Sequence, residues 1–168
     1  MNGKWSRAAF ITLLTVAGVG GCGGAQDEEV DLQAATLALE VEPDCTSVKA
    51  SAQLVWPPNH KFRLITLSGG EELQLTIDSV TQDEPVNDNG HGKGSPDARW
   101  VDDRTDAVYL RAERSGRGDG RVYRIHFTAT REDGDKECTG TVRVGVPHDQ
   151  GKGSKPVDSG GTYDSFGG

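Results

Sequence analysis

The side chains best suited to chemistry fall into two groups. His60 and His148 stand in distinctive loop motifs, one directly after Pro57-Pro58-Asn59 and the other directly before Asp149. If those loops meet at one end of a domain, then His60, His148 and Asp149, with Asp83 or Glu84, supply the mixed nitrogen and oxygen ligands that zinc takes. An open position on such a metal would make a hydrolase; the alternative, and the favoured one, is that these side chains hydrogen-bond loop backbone. The second group is acidic. Asp83, Glu84, Asp88, Asp97, Asp102, Asp103 and Asp106 fall within 24 residues, and hard cations need several oxygens at one point, which makes Asp83, Glu84, Asp88 and Asp97 the candidate calcium ligands. An EF-hand is excluded, because placing Gly90 at the sixth loop position puts Pro85 at the first and Pro96 at the twelfth. Calcium would need several loops; the alternative is a solvated acidic loop that keeps a sheet edge from pairing with other chains.

The cysteines carry different chemistry. Lys4 and Arg7 precede an apolar run from Ala8 to Val19 of about a dozen residues, too short for a membrane-spanning helix and of the length of an export signal. Val19-Gly20-Gly21-Cys22 then resembles the lipobox of bacterial lipoproteins, which implies that residues 1–21 are a signal peptide and that the Cys22 thiol takes up diacylglycerol. An ordinary secretory signal that happens to contain Cys22 is the other reading. Two ester-linked chains and an amide-linked one would hold the protein on a membrane, where a single chain binds only marginally. Gly23 follows the cysteine where Asp would retain it, so the resemblance implies the outer membrane or cell surface. With Cys22 lipidated, Cys45 and Cys138 are left as a disulfide pair in an oxidising compartment.

The chain carries 18 basic against 26 acidic residues, a net charge of -8. Loss of Lys4 and Arg7 with the signal leaves 16 against 26, a charge of -10. That balance argues against nucleic acid as a partner, since phosphate binding needs clustered Lys and Arg. HExxH, GxSxG, SxxK and Walker-type motifs are absent from the sequence, which lowers the odds of catalysis. Arg111, Arg114, Arg117, Arg121 and Arg124 surround Glu113 in a locally basic hairpin. They read as cross-strand ion pairs on a solvent face, with bidentate capture of a ligand carboxylate or an acidic glycan as the second reading. Trp56 and Trp100 fit edge or core packing better than sugar stacking.

The elements that must position these residues are strands. Residues 22–44 read as the lipidated cysteine and a flexible acidic tether, with a short helix possible over Glu28 to Leu39. From Cys45 onward, short runs rich in Val, Ile, Leu, Thr and Tyr alternate with Gly, Pro, Asn and Asp. Strands are expected at Ser47–Val55, Lys61–Leu67, Leu73–Thr81, Arg99–Val101, Ala107–Arg114, Arg121–Thr130 and Thr139–Val146. In Arg121–Thr130, Tyr123, Ile125, Phe127 and Ala129 form one face, and His126 falls on the other with Arg124 and Thr128, facing solvent. In Leu73–Thr81 simple alternation puts Leu73, Leu75, Ile77, Ser79 and Thr81 together. The expectation is therefore an all-β, antiparallel sandwich of about seven strands over residues 45–148, followed by a flexible Gly/Ser-rich tail, 149–168, in which Tyr163 and Phe166 could dock.

The order of these strands and cysteines resembles the immunoglobulin-like modules of the hyalin-repeat and polycystic-kidney-disease-repeat type. More specifically, Leu54-Val55-Trp56-Pro57-Pro58-Asn59-His60-Lys61, Thr81-Gln82-Asp83-Glu84-Pro85-Val86, Leu110-Arg111-Ala112-Glu113-Arg114-Ser115-Gly116 and Val146-Pro147-His148-Asp149-Gln150 are similar to a module found in the C-terminal parts of bacterial extracellular proteins. That module brings no activity with it. The resemblance implies a lipid-anchored envelope protein with a non-catalytic binding or adhesion module for a protein or glycan partner; a metal-dependent hydrolase and a passive spacer are the alternatives.

Overall fold

The computed structural model describes residues 42–70, 72–86, 95–132, 136–151 and 154–167. The chain divides into two units, Met1–Ala38 and Leu39–Gly168, and all described residues belong to the second. The signal segment, Cys22, the tether up to residue 41 with its expected helix, Asp88 and His91 lie outside the described residues.

The strands are β1 (Lys49–Ala50), β2 (Phe62–Ser68), β3 (Leu73–Gln82), β4 (Ala98–Trp100), β5 (Ala107–Arg111), β6 (Arg121–Arg131), β7 (Glu137–Val146) and β8 (Tyr163–Asp164). They form two antiparallel sheets, ordered β1-β2-β5-β4 and β7-β6-β3-β8. Taken in chain order, the first seven reproduce the ABED and CFG sheets of an immunoglobulin constant-type sandwich, with β8 added at the edge of the second. The core lies between the sheets, where Ile65, Leu110, Val80, Ile125, Phe127 and Val144 are buried. The inward face of β6 is the expected one, and it begins one step earlier, with Arg121.

Three departures from simple alternation place the functional residues. The register between β3 and β6 shifts between Ile77 and Ser79, so the strand carries one extra residue there. Beyond this bulge the faces exchange, and Val80 and Gln82 turn inward where unbroken alternation puts Ser79 and Thr81. The expected first strand, Ser47–Val55, is split. Cys45–Ser47 is a 3₁₀ turn capped by Asp44, Lys49–Ala50 pairs with β2, and Leu54 then bridges in parallel to Gly145 of β7. The chain thus changes sheets, which two short pairings allow and one continuous strand does not.

The third departure is the tail, whose composition suggested flexibility. Its residues 154–167 are fixed by backbone bonds and close packing. Tyr163 and Asp164 pair with Gln82 and Thr81, and Ser165 O accepts from both Asp97 N and Ala98 N at 2.9 and 2.8 Å. Phe166 stacks on Trp100 with ring centroids 4.2 Å apart. Pro156 lies so close to Gly145 that a Cβ there would come within 2.1 Å of its ring. A Gly/Ser segment can be ordered this way because main-chain bonds hold it together with its few packing side chains, Pro156 and Phe166, and with Asp158, which pairs with Arg124.

Cys45 and Cys138 form a disulfide across 93 residues, joining the start of β7 to the turn before β1. Replacing both by serine is expected to lower unfolding stability by about 4 to 5 kcal/mol, the chain-entropy value for a loop of this length. Urea denaturation of the two forms measures it.

Candidate functional site

One end of the sandwich is built around a buried cation. Arg121, the first residue of β6, is fully buried. Its Nε donates to Glu84 Oε2 at 3.0 Å, and its Nη1 donates to Asp97 Oδ2 at 2.7 Å and to Tyr123 Oη at 3.2 Å. The Tyr123 hydroxyl in turn donates to Arg111 O at 2.9 Å. The Tyr123 hydroxyl thus ties the start of β6 to the end of β5, 12 residues earlier.

The acids around Arg121 are held by further donors. Gln82, turned inward by the bulge, donates from Nε2 to Asp97 Oδ2 at 2.8 Å and to Glu84 O at 2.9 Å. Ser115 N donates to Glu84 Oε2 at 2.8 Å. Asp83 accepts from Val122 N at 2.8 Å and from Ser159 N at 3.1 Å. Arg111 Nε lies 3.5 Å from Asp97 Oδ1, and its Nη1 lies 3.8 Å from Glu113 Oε2. His60, at a φ of 61°, closes the rim with Nδ1 3.0 Å from the same Glu113 oxygen. Three carboxylates, Glu84, Asp97 and Glu113, thus face two guanidinium groups, while Asp83 is held by backbone amides. Burial pushes the Asp97 carboxyl above its ordinary value, against the pull of Arg121 and Gln82. Burial likewise raises the Tyr123 phenol, which keeps it a neutral donor.

This network accounts for the acids singled out as calcium ligands. Asp83 is bonded to backbone amides, and Glu84 and Asp97 are bonded to Arg121; Asp88 lies outside the described residues. The zinc set is also otherwise engaged. His60 faces Glu113, His148 Nε2 is 3.4 Å from Gly116 O, and Asp149 accepts from Gly151 N at 2.6 Å. Among the described residues, no three His, Cys, Asp or Glu side chains are grouped to hold a metal ion. His126 sits on the outer face as expected, between Thr81 and Thr141 at 3.1 Å from each.

The basic hairpin was expected to form cross-strand ion pairs on a solvent face. The structure corrects this: Glu113 is buried, and Arg111 turns to Asp97 and Glu113 in the network. Arg121 is buried, Arg124 binds Asp158 and the Gly161 carbonyl in the tail, and Arg114 donates to His148 O at 3.1 Å. The central role of Arg121 had one sequence signal, its place in the inward phase of Tyr123, Ile125, Phe127 and Ala129.

A second feature lies on the outer face of β2, β5 and β4. Leu64, Tyr109 and Arg99 are directly opposite one another across the three strands, and Leu64 and Tyr109 are 45% and 37% exposed. Beside them, the Arg99 and Arg111 guanidinium carbons lie 4.2 and 5.0 Å from the centre of the Phe62 ring. Stacking on an aromatic face pre-orders a guanidinium while leaving its N–H edge available. Compared with protein-family models, curated proteins and solved structures, the chain matches none.

Removing the cation from the network should be severe. Arg121→Met leaves Glu84 and Asp97 buried against an apolar side chain, an expected loss of about 3 to 5 kcal/mol, whereas the triple variant R121M/E84Q/D97N recovers most of it. Burial already holds the Asp97 carboxyl above its ordinary value, and removing Arg121 takes away the main opposing pull, so it rises further. The folded state then binds more protons, so its stability falls as pH rises through that window, and the R121M deficit is larger at pH 7 than at pH 4.5. Chemical denaturation at the two pH values reads both effects. Because the network already occupies Asp83, Glu84 and Asp97, millimolar calcium is expected to leave the thermal midpoint where chelator leaves it.

Proposed function

We propose that the chain is a lipid-anchored envelope protein, held through Cys22 on the outer membrane or cell surface, whose sandwich is a non-catalytic binding or adhesion module. The observation that carries this reading is the outer face of β2, β5 and β4. Surface aromatic and arginine side chains dominate binding energy at interfaces because they offer large contact area at low entropic cost. Here Tyr109, Leu64 and Arg99 form one exposed row on rigid strands, and Phe62 fixes the orientation of Arg99. The partner is a protein or glycan surface that sets apolar contact beside a carboxylate or other acceptor for the guanidinium edge.

The disulfide supports export, since such bonds persist in oxidising compartments. The lipobox-like Val19-Gly20-Gly21-Cys22 supports the anchor. The buried network supports a scaffold role for Glu84, Asp97 and Arg121, which bond to one another inside the domain.

The test is binding of the full chain to a panel of glycans and to the surface proteins of its own envelope, comparing the parent chain with R99A/Y109A. Loss of at least tenfold in affinity, with the unfolding midpoint unchanged, is the expected result. Equal binding by the two forms would remove this face from the account.

A further inference from the structure

The two sheets treat their edges differently. The outer edge of β3 is closed along its length: Thr105 Oγ1 donates to Leu75 O at 2.8 Å, Ile77 N donates to Thr105 O at 2.8 Å, and Ser165 N donates to Val80 O at 3.0 Å before β8 takes over. Among the described residues, the outer edge of β7 is closed only near its end. There Gly145 N donates to Gln53 O at 2.9 Å and Gly145 O accepts from Val55 N at 2.8 Å. In an antiparallel pair, alternate residues turn both backbone groups away from the partner strand. Since Gly145 turns its own away from β6, so do Arg143, Thr141 and Thr139 in the unbroken register of that pair. Among the described residues these three have no backbone partner on that side.

This open stretch borders a cleft of about 550 Å³. Its origin is the change of sheets by the first strand. The segment from Cys45 to Val55 runs alongside β7 and is tied to it twice, by the Cys45–Cys138 disulfide and by the Leu54–Gly145 bridge. Between the ties β1 departs to pair with β2, and the cleft opens. Leu54 and Pro156 supply apolar lining, and Lys49, Arg143 and Lys155 also line it. Arg143 is 69% exposed, and Asp158, the acid in the lining, pairs with Arg124 as well as Arg143. A local excess of cations in a protein of net charge -8 selects for an acidic partner.

We propose that the open edge of β7 receives an extended acidic segment of a partner protein by strand addition, its main chain pairing with Thr139, Thr141 and Arg143 and its carboxylates meeting Lys49, Arg143 and Lys155. The bridge at Gly145 is the same kind of pairing, made once by the chain itself. The two ties hold the cleft walls before the partner arrives, which reduces the ordering cost of binding. The strand need be only about five residues, or about 17 Å, long. A second copy of the chain is disfavoured as occupant, because two β7 edges laid together would oppose like charges. This site is independent of the face formed by Tyr109 and Arg99.

The probe is a capped heptapeptide alternating valine with glutamate, added to the full chain and followed by amide hydrogen exchange and by titration. In its absence the Thr139, Thr141 and Arg143 amides exchange quickly; saturation slows them. Replacing glutamate by lysine, or N-methylating alternate peptide amides, should weaken binding at least tenfold. Thr141→Pro, which removes an outward N–H and leaves the β6 ladder intact, should do the same. The proposal is overturned by absence of saturable binding at millimolar peptide, by equal binding of the lysine or N-methylated peptides, by edge amides already protected without peptide, or by self-association of the chain through β7. The N-methylated arm uses the unaltered protein, so it stands even if the proline variant fails to fold.

Discussion

Taking a guanidinium out of water costs several kcal/mol unless its N–H groups meet well-placed acceptors. Arg121 meets that condition at Nε and Nη1, through acceptors drawn from widely separated parts of the chain, while its buried Nη2 has no hydrogen-bond partner among the described residues. Glu84 and Asp97 come from either end of the long polar loop after β3, Tyr123 from β6 itself, and the Arg111 carbonyl from β5. The two ends of the polar loop are not apolar enough to pack there on hydrophobic grounds. The buried charge specifies the arrangement instead, because any other placement leaves an ion without a partner.

The bulge in β3 is the local event that makes this geometry available. It puts Gln82 inward, where its amide bridges Asp97 and the Glu84 backbone. It also leads directly into Asp83, whose carboxylate spans Val122 N and Ser159 N and so links β6 to the tail. With acids in excess over guanidinium groups, part of the neutralisation falls to backbone amides, and burial raises the Asp97 carboxyl despite Arg121. The opposite end of β7 depends on a covalent tie. The disulfide and the Leu54–Gly145 bridge hold the first strand beside a sheet edge that it does not fully cover. One end of the domain is therefore closed by ionic hydrogen bonds, and among the described residues one side of β7 is left uncovered.

The sandwich and most strand positions were legible because residues such as Tyr123, Ile125, Phe127 and Ala129 alternate without interruption. The cysteine pair followed from an odd count. Legibility failed where a local rule was broken by a distant contact. Ser79 and Thr81 carry no mark of a bulge, since the extra residue is demanded by the pairing with β6. The tail reads as flexible because Gly and Ser contribute little side-chain packing, while its order comes from backbone bonds to Asp83, Asp97 and Ala98. Arg121 continued the inward phase of its strand, but a lone arginine there reads as a strand end until its acids, 24 and 37 residues earlier, are seen beside it.

The central claim is that the buried Arg121 network makes the tail, the ends of the polar loop and the start of β6 one cooperative unit with the core. Native-state hydrogen exchange at the amides of Ser115, Val122, Ala98 and Ser165 tests it most directly, with Phe127 in the middle of β6 as reference. The account predicts that all five open with the same free energy, that of global unfolding. Exchange of Ala98, Ser165 or Ser115 through a separate opening of clearly lower free energy would contradict it, and would reduce the network to a local contact.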